Sequence, residues 1–215
     1  MNIIPSVVHS SNSNAEVKVF DSIKSLDLGN DWFALHSLNV SEHEYKQWSE
    51  LDFVLVGPNH LFVLEVKGGR VACEDGIWIF TDRYGNSNKK SEGPFKQAES
   101  GMYALSAKID SELGQSWRNY VKTGWGVVFP DIEFHVPSPE MPSEVVLDQR
   151  LITQKEGLRK YIKTLIRYWD AKGKRVQKEG LDTQFHRQLR TYLRPSFDVS
   201  PSFKSTVNQI SSEIV

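Results

Sequence analysis

The sequence predicts an α/β fold: a mixed central β-sheet flanked by helices, followed by a C-terminal helical appendage. Three observations carry this expectation. Two apolar runs, residues 53–56 and 61–64, flank Gly57-Pro58-Asn59-His60, which is turn chemistry and reads as a β-hairpin. A long amphipathic stretch from Pro94 separates that hairpin from another apolar run at 124–129, so strand, helix and strand alternate. A second amphipathic stretch opens at Thr153 behind a proline-rich break. The expected organisation is a body over 1–136, a linker over 137–150, a basic helical appendage over 151–194, and a tail or linker to a following domain over 195–215.

Residues 1–12 are rich in Ser and Asn after a short apolar start and read as an extended lead-in. Ser13-Asn14-Ala15-Glu16 has the spacing of a capping box. Val19, Phe20, Ile23 and Leu26 follow at helical spacing, with Gly29 as the expected stop. Residues 32–40 alternate loosely as a first strand, and 41–50 form a polar connection. Beyond the hairpin, 70–74 and 77–82 read as a second one through Asp75-Gly76. Residues 83–93 are an expected polar loop, whose Lys89 and Lys90 are candidate phosphate contacts. Pro94, after Gly93, starts a helix to about residue 113 with Ala98, Met102, Leu105 and Ile109 as its buried stripe.

Strands are expected at 124–129 and 132–136, with Asp131 in the turn between them. Thr153-Gln154-Lys155-Glu156 has capping-box spacing ahead of Leu158, Tyr161, Ile162, Leu165 and Trp169. Arg159, Lys160, Lys163 and Arg167 lie mostly off that apolar stripe and are candidate nucleic-acid contacts. A further helix is expected over 182–193, with His186 on its surface, and Val207, Ile210 and Ile214 show helical spacing in the tail.

Apolar residues at 39% and charged residues at 25% exclude a disordered chain. No run approaches a membrane span, and the N-terminus lacks the pattern of a signal peptide. Cys73 is alone, which excludes a disulfide framework and a cysteine zinc site. The chain is therefore expected to be cytoplasmic, with no membrane partner. The net charge of −1 does not by itself point to nucleic acid, but its distribution does. Residues 151–194 carry 12 Lys and Arg against 4 Asp and Glu, and the remainder carries 14 against 23. A basic segment behind an acidic body is the pattern of a DNA-contacting appendage, and equally that of a solvated basic helix face.

The chemistry concentrates in the hairpin. If Gly57–His60 is the loop, Val56 pairs with Leu61, and counting outward sets Asp52 opposite Glu65. Opposed residues share a face, and Lys67, two residues on, shares it too. Two adjacent carboxylates repel unless a cation lies between them. Mg²⁺ or Mn²⁺ suits that role, because hard cations take carboxylate oxygens and keep waters for substrate. A lysine beside such a metal orients or deprotonates water and stabilises charge on a phosphate. The bland reading is a cross-strand Lys–carboxylate cluster of little energetic value.

Several motifs also carry a family resemblance. Ala15-Glu16, then Asp52-Phe-Val-Leu-Val-Gly-Pro-Asn59, Leu61-Phe-Val-Leu-Glu-Val-Lys-Gly-Gly69, Asp75-Gly-Ile-Trp78, Gly93-Pro-Phe-Lys-Gln-Ala98 and Val127-Val-Phe-Pro130 occur in that order. They resemble the nuclease-related domain (NERD), a family of the PD-(D/E)xK nuclease superfamily, over roughly residues 12–135. The resemblance implies a PD-(D/E)xK nuclease-like core with Asp52, Glu65 and Lys67 in the superfamily's Asp, Glu and Lys positions. Leu51 stands where the superfamily's name has proline, a frequent loss.

By the same resemblance Glu16 matches a first-helix glutamate directed at the metal, although it equally caps its own helix. Gln97 matches a helix glutamine that contacts the site, although a solvent-exposed glutamine is the other reading; the Tyr that follows it by four residues in some relatives is Gly101 here.

The expected activity is Mg²⁺- or Mn²⁺-dependent hydrolysis of DNA phosphodiesters, as an endonuclease or nickase, in repair, restriction or phage defence. A non-catalytic nucleic-acid-binding or protein-docking module on the same scaffold is the other reading, and RNA or a nucleotide is the other substrate. A lone domain of this type cuts one strand, so double-strand cleavage calls for a homodimer or two visits. Some relatives join the domain to a UvrD-like helicase, and the tail resembles such a junction, as if this were part of a longer protein. No Walker A loop is present in this chain.

Overall fold

The hairpin forms in the expected register, and the rest of the main sheet is assembled around it. The computed structural model describes residues 1–8, 13–40, 49–177 and 180–199. Six strands make the main sheet: β1 (Asn2–Ile4), β2 (Phe33–Val40), β3 (Ser49–Val56), β4 (His60–Val66), β8 (Lys122–Phe129) and β9 (Val146–Asp148), adjacent in that order. Neighbours β2–β3 and β3–β4 are antiparallel, while β1–β2, β4–β8 and β8–β9 are parallel, so the sheet is mixed. A separate three-stranded sheet, β5 (Arg70–Glu74), β6 (Ile77–Thr81) and β7 (Ser87–Lys90), lies in the crossover from β4 to β8.

Five α-helices among the described residues accompany the sheets: α1 (Asn14–Ser25), α2 (Pro94–Leu113), α3 (Gln149–Ile152), α4 (Gly157–Asp170) and α5 (Thr183–Leu193). The main layers can be assigned from two contacts. Gly101 of α2 lies against Leu51 and Val63, whereas Tyr161 of α4 lies against Gly126 beside Leu64. Val63 and Leu64 point to opposite faces of β4, so α2 and α4 cover opposite faces of the sheet. Glu65 and Lys67 share the face of Val63, the one under α2.

Local chemistry explains the elements. The Ser13 hydroxyl accepts from the Glu16 N–H at 3.2 Å, as the capping box predicts. Helix α1 ends at Ser25 rather than at Gly29, which sits further on at φ +95° within the connection. Asp75 and Gly76, at φ +48° and +77°, make the two-residue turn between β5 and β6. Helix α2 has the expected bounds, and its stripe gains Gly101. A Cβ there would lie 2.5 Å from Leu51 Cδ2, so glycine at this position lets α2 approach the sheet closely.

Several expectations are corrected. Strand β3 begins at Ser49, inside the stretch read as a polar connection, because Ser49 and Glu50 pair through their backbone with Val40 and Asn39. Residues 41–48 lie outside the described residues. Lys89 and Lys90 are not in a loop but in β7, opposite Ile79 and Trp78 of β6. Residues 132–136 form no strand; Phe134 stacks on Phe129 at 4.6 Å and packs on Phe95, so their alternation serves a turn's packing.

The expected linker at 137–150 contains β9, whose Leu147 is fully buried beside Val128. Nor is 151–194 an appendage. Tyr161, Ile162 and Leu165 belong to the same core as the sheet, the Tyr161 hydroxyl donates to Val145 O at 2.8 Å, and the Trp169 indole donates to Trp125 O at 3.0 Å. The capping box at Thr153 does not form. Glu156 stands at φ +62° before α4 without a side-chain cap, and Asp148 instead caps α3 through the Leu151 N–H. Helix α5 lies where a helix was expected, with Asp182 as its cap through the Phe185 N–H rather than its first turn, but His186 is half-buried, its ring edge-on to Phe33 at 5.0 Å. The helical spacing at Val207, Ile210 and Ile214 lies outside the described residues. No helix among the described residues is long and apolar enough to cross a membrane.

Candidate active site

The hairpin forks at the residues singled out above. Pairing of β3 with β4 runs from Val56↔Leu61 to Phe53↔Leu64, as counted from the sequence, and stops there. The next position outward would match Asp52 with Glu65. In place of a backbone ladder, the Asp52 carboxylate accepts the Val66 N–H at 2.7 Å. Strand β4 continues beside β8, with Glu65↔Val127 and Val66↔Val128, while β3 stays with β2, with Leu38↔Leu51. The fork opens a gap at the strand ends, and the polar side chains occupy it.

Burial and like charge govern the electrostatics. Burial pushes the Asp52 carboxyl well above the usual range, and the Glu65 carboxylate adds to the rise. Glu65, only 7% exposed, is also raised by burial, against the opposing pull of Lys67. The Lys67 ammonium pairs with Glu65 Oε1, its backbone N–H donates to Val128 O at 2.9 Å, and Phe80 of the small sheet lies beneath its Nζ at 5.8 Å. Lys90 is close enough for its charge to favour ionised Glu65. It shares a face of the small sheet with Trp78, which packs on Phe95 at 6.0 Å, while its neighbour Lys89 points to the other face. The two candidate lysines are therefore separated: Lys90 faces the carboxylates and Lys89 does not.

Glu16 combines both of its readings. Its carboxylate accepts from the Ser13 hydroxyl at 3.0 Å, and its charge raises both Asp52 and Glu65. Helix α1 comes this close because Gly68, directly after Lys67, has no side chain; a Cβ there would lie 2.5 Å from Ala15 Cβ. Asp131 fastens the same corner. It sits in the turn after β8, accepts the Gly69 N–H at 2.9 Å and pairs with Lys18 of α1. Burial is the largest influence on Asp131 and raises its pKa, but Lys18 and the Gly69 amide together hold it below the usual carboxylate range.

One neighbour escapes sequence reading. His36 of β2, 2% exposed, stacks on Phe53 at 4.8 Å and has its Nε2 3.6 Å from Glu16 Oε2. The only signal in the sequence is a polar residue inside the apolar run Phe33-Ala-Leu-His-Ser-Leu38.

Gln97 carries a buried Oε1 that no donor in the described protein satisfies, which suits a group reserved for water or substrate. The basic residues of α4 are not brought to the carboxylates. Arg159 pairs with Glu156, and Lys160, Lys163 and Arg167 are exposed on the helix that covers the opposite face. The end of α4 nearest Arg167 also meets β4 at His60, through Asp170 at 3.0 Å. Five residues of strand, about 16 Å, separate His60 from Glu65.

Among the described residues no three His, Cys, Asp or Glu side chains are gathered as tightly as a closed metal centre requires. The donor set fits a different kind of site. Two carboxylates raised chiefly by burial, Asp52 further by the Glu65 charge, with an unsatisfied amide oxygen on the helix that covers their face, suit a hard cation held by one or two carboxylates plus water and phosphate oxygen.

Comparison with known families matches residues 11–125 to the nuclease-related domain. No curated protein and no solved structure matches.

Proposed function

The chain belongs to the nuclease-related domain family, and we propose that it is an enzyme that hydrolyses DNA phosphodiester bonds with Mg²⁺ or Mn²⁺ at Asp52 and Glu65. The observation that carries this reading is the forked end of the hairpin, where two buried carboxylates with raised pKa values share one ammonium, Lys67. A structural ion pair does not need the second buried carboxylate, whose charge the protein disfavours.

Asp52 and Glu65 would hold the cation, with Glu16 joining through water. When bound, the cation lowers the pKa of a water and neutralises charge on the phosphate. The protein groups then divide the work. Asp52 and Glu65 both become ionised, and Glu65 no longer depends on Lys67. The released ammonium orients the attacking water and stabilises the charge that builds on the phosphate oxygens. The water oxygen bonds to phosphorus as its proton passes to solvent, the bond from phosphorus to the leaving sugar oxygen breaks, and that oxygen takes a proton from a second water in the open site. Gln97 orients the water or a phosphate oxygen, and Phe80 screens Lys67 from bulk solvent. Lys90 receives the incoming backbone.

A binding or docking module on the same scaffold is supported by one feature: Asp52 and Glu65 already have protein partners in Val66 and Lys67. A plasmid-nicking assay separates the two readings. Purified protein is tested with Mg²⁺, Mn²⁺ and EDTA beside Asp52→Ala and Lys67→Ala. Metal-dependent nicking that falls at least about 100-fold in both variants supports the enzyme. Cleavage that survives both substitutions refutes the assignment, and DNA binding with no cleavage under any metal favours the module.

A further inference from the structure

A distortion lies in β2 directly beside Asp52. The β2–β3 ladder includes His36↔Phe53 and Leu38↔Leu51, but between them Ser37 and Asp52 face each other without pairing. Ser37 stands at φ +51°. The other non-glycine residues with positive φ among those described, Asp75 and Glu156, are at a hairpin turn and at a helix start. Ser37 is in mid-strand, where a residue with a Cβ keeps a left-handed conformation only if its surroundings hold it there.

What holds it comes from the far end of the chain. Nη2 of Arg194, the residue after α5, donates to the carbonyls of His36 at 2.7 Å and of Ser37 at 3.0 Å. Helix α5 delivers that guanidinium to a fixed place. His186 packs on Phe33 at 5.0 Å, Arg190 lies over the same ring at 6.0 Å, and the Tyr192 hydroxyl donates to Lys108 O of α2 at 3.4 Å. Arg194 is half-buried, and its Nε is enclosed without a partner, so the side chain is committed to this corner.

We propose that Arg194 is a positioning residue for Asp52. By holding the carbonyls of His36 and Ser37 it keeps β2 bent at Ser37, so that β3 is released from the ladder at Asp52 and the carboxylate turns to the Val66 N–H and towards Glu65. A straight β2 would pair Ser37 with Asp52 and draw that residue's backbone back into line. The catalytic meaning of this device rests on the reading of Asp52 given above; its structural part does not. The C-terminal helix thereby acts on the candidate site through backbone rather than through contact with DNA.

The test uses the full chain with Arg194→Ala, Arg194→Lys, Ser37→Gly and the Ser37→Gly/Arg194→Ala pair. The first readout needs neither metal nor DNA: amide exchange of Val66, with Lys67, whose N–H bonds to Val128 of β8, as the internal control. Arg194→Ala is expected to speed exchange at Val66 at least about ten-fold while Lys67 changes little. Arg194→Lys, which keeps a donor and the fold, is expected to fall between. The second readout is nicking, where Arg194→Ala is expected to lower kcat about ten-fold with KM nearly unchanged. Glycine adopts the Ser37 conformation without being held, so Ser37→Gly should restore kcat in the Arg194→Ala background. Unchanged Val66 exchange in Arg194→Ala overturns the proposal, as does a kcat loss that Ser37→Gly does not recover. If the wild-type chain cleaves nothing, the nuclease reading fails and the exchange result alone decides the positioning role.

Discussion

At the scale of the residue, Asp52 is held at a cost, and the cost has a sign. Burial and Glu65 raise its folded pKa above the ordinary carboxylate value near 4 of an unfolded chain. The folded protein therefore binds the proton more tightly than the unfolded one, and ionised Asp52 and Glu65 destabilise it at neutral pH. That loss is relieved as pH falls through the raised folded value and is fully relieved once the ordinary value is passed. Asp52→Asn keeps an oxygen for the Val66 N–H and removes the charge. In metal-free protein at pH 7 it should raise Tm by about 3 °C, the shift expected for roughly 1 kcal/mol. The gain should shrink as pH is lowered, which thermal melts across pH would read. A variant less stable than wild type at pH 7 would mean that the carboxylate is not disfavoured there.

At the scale of the element, the small sheet decides which cations meet the site. Lys90 shares a face with Trp78 and Phe80 and favours ionised Glu65, whereas Lys89 points to the opposite face. Lys90→Ala should weaken substrate use about ten-fold in kcat/KM, and Lys89→Ala should leave it within about two-fold, measured on one DNA at one salt concentration. Equal losses from both would contradict the facing assigned to β7. Legibility in the sequence followed the same physics. The hairpin could be read because turn residues fix register, and register fixes which side chains meet; Asp52, Glu65 and Lys67 came with it. Helix α2 could be read from Pro94 and its stripe. Strand β7, Ser-Asn-Lys-Lys, could not, because its four side chains are all polar and exposed and carry no alternation. Strand β9 has three residues, too few for a period to show. His36 against Glu16 and Arg194 against Ser37 depend on packing between remote segments, which no local pattern records.

At the scale of the whole molecule, the basic segment is part of the body. Tyr161, Ile162 and Leu165 belong to the same core as β8 and β9, and the basic residues of the segment are spread over the outer face of α4, the connection after it and α5. Removing residues 151–194 should therefore yield a chain without a cooperative thermal transition, because truncating a single large core side chain already costs about 3–5 kcal/mol. A stable, well-folded 1–150 fragment would restore the appendage reading. A Mn²⁺ titration followed by electron paramagnetic resonance reads the forked carboxylates themselves. Wild-type protein should bind Mn²⁺, competed by Mg²⁺, and affinity should fall at least about ten-fold in Asp52→Ala and Glu65→Ala while both stay folded. Binding of equal strength in all three proteins, or no binding in the wild type, would contradict a metal centre at Asp52 and Glu65.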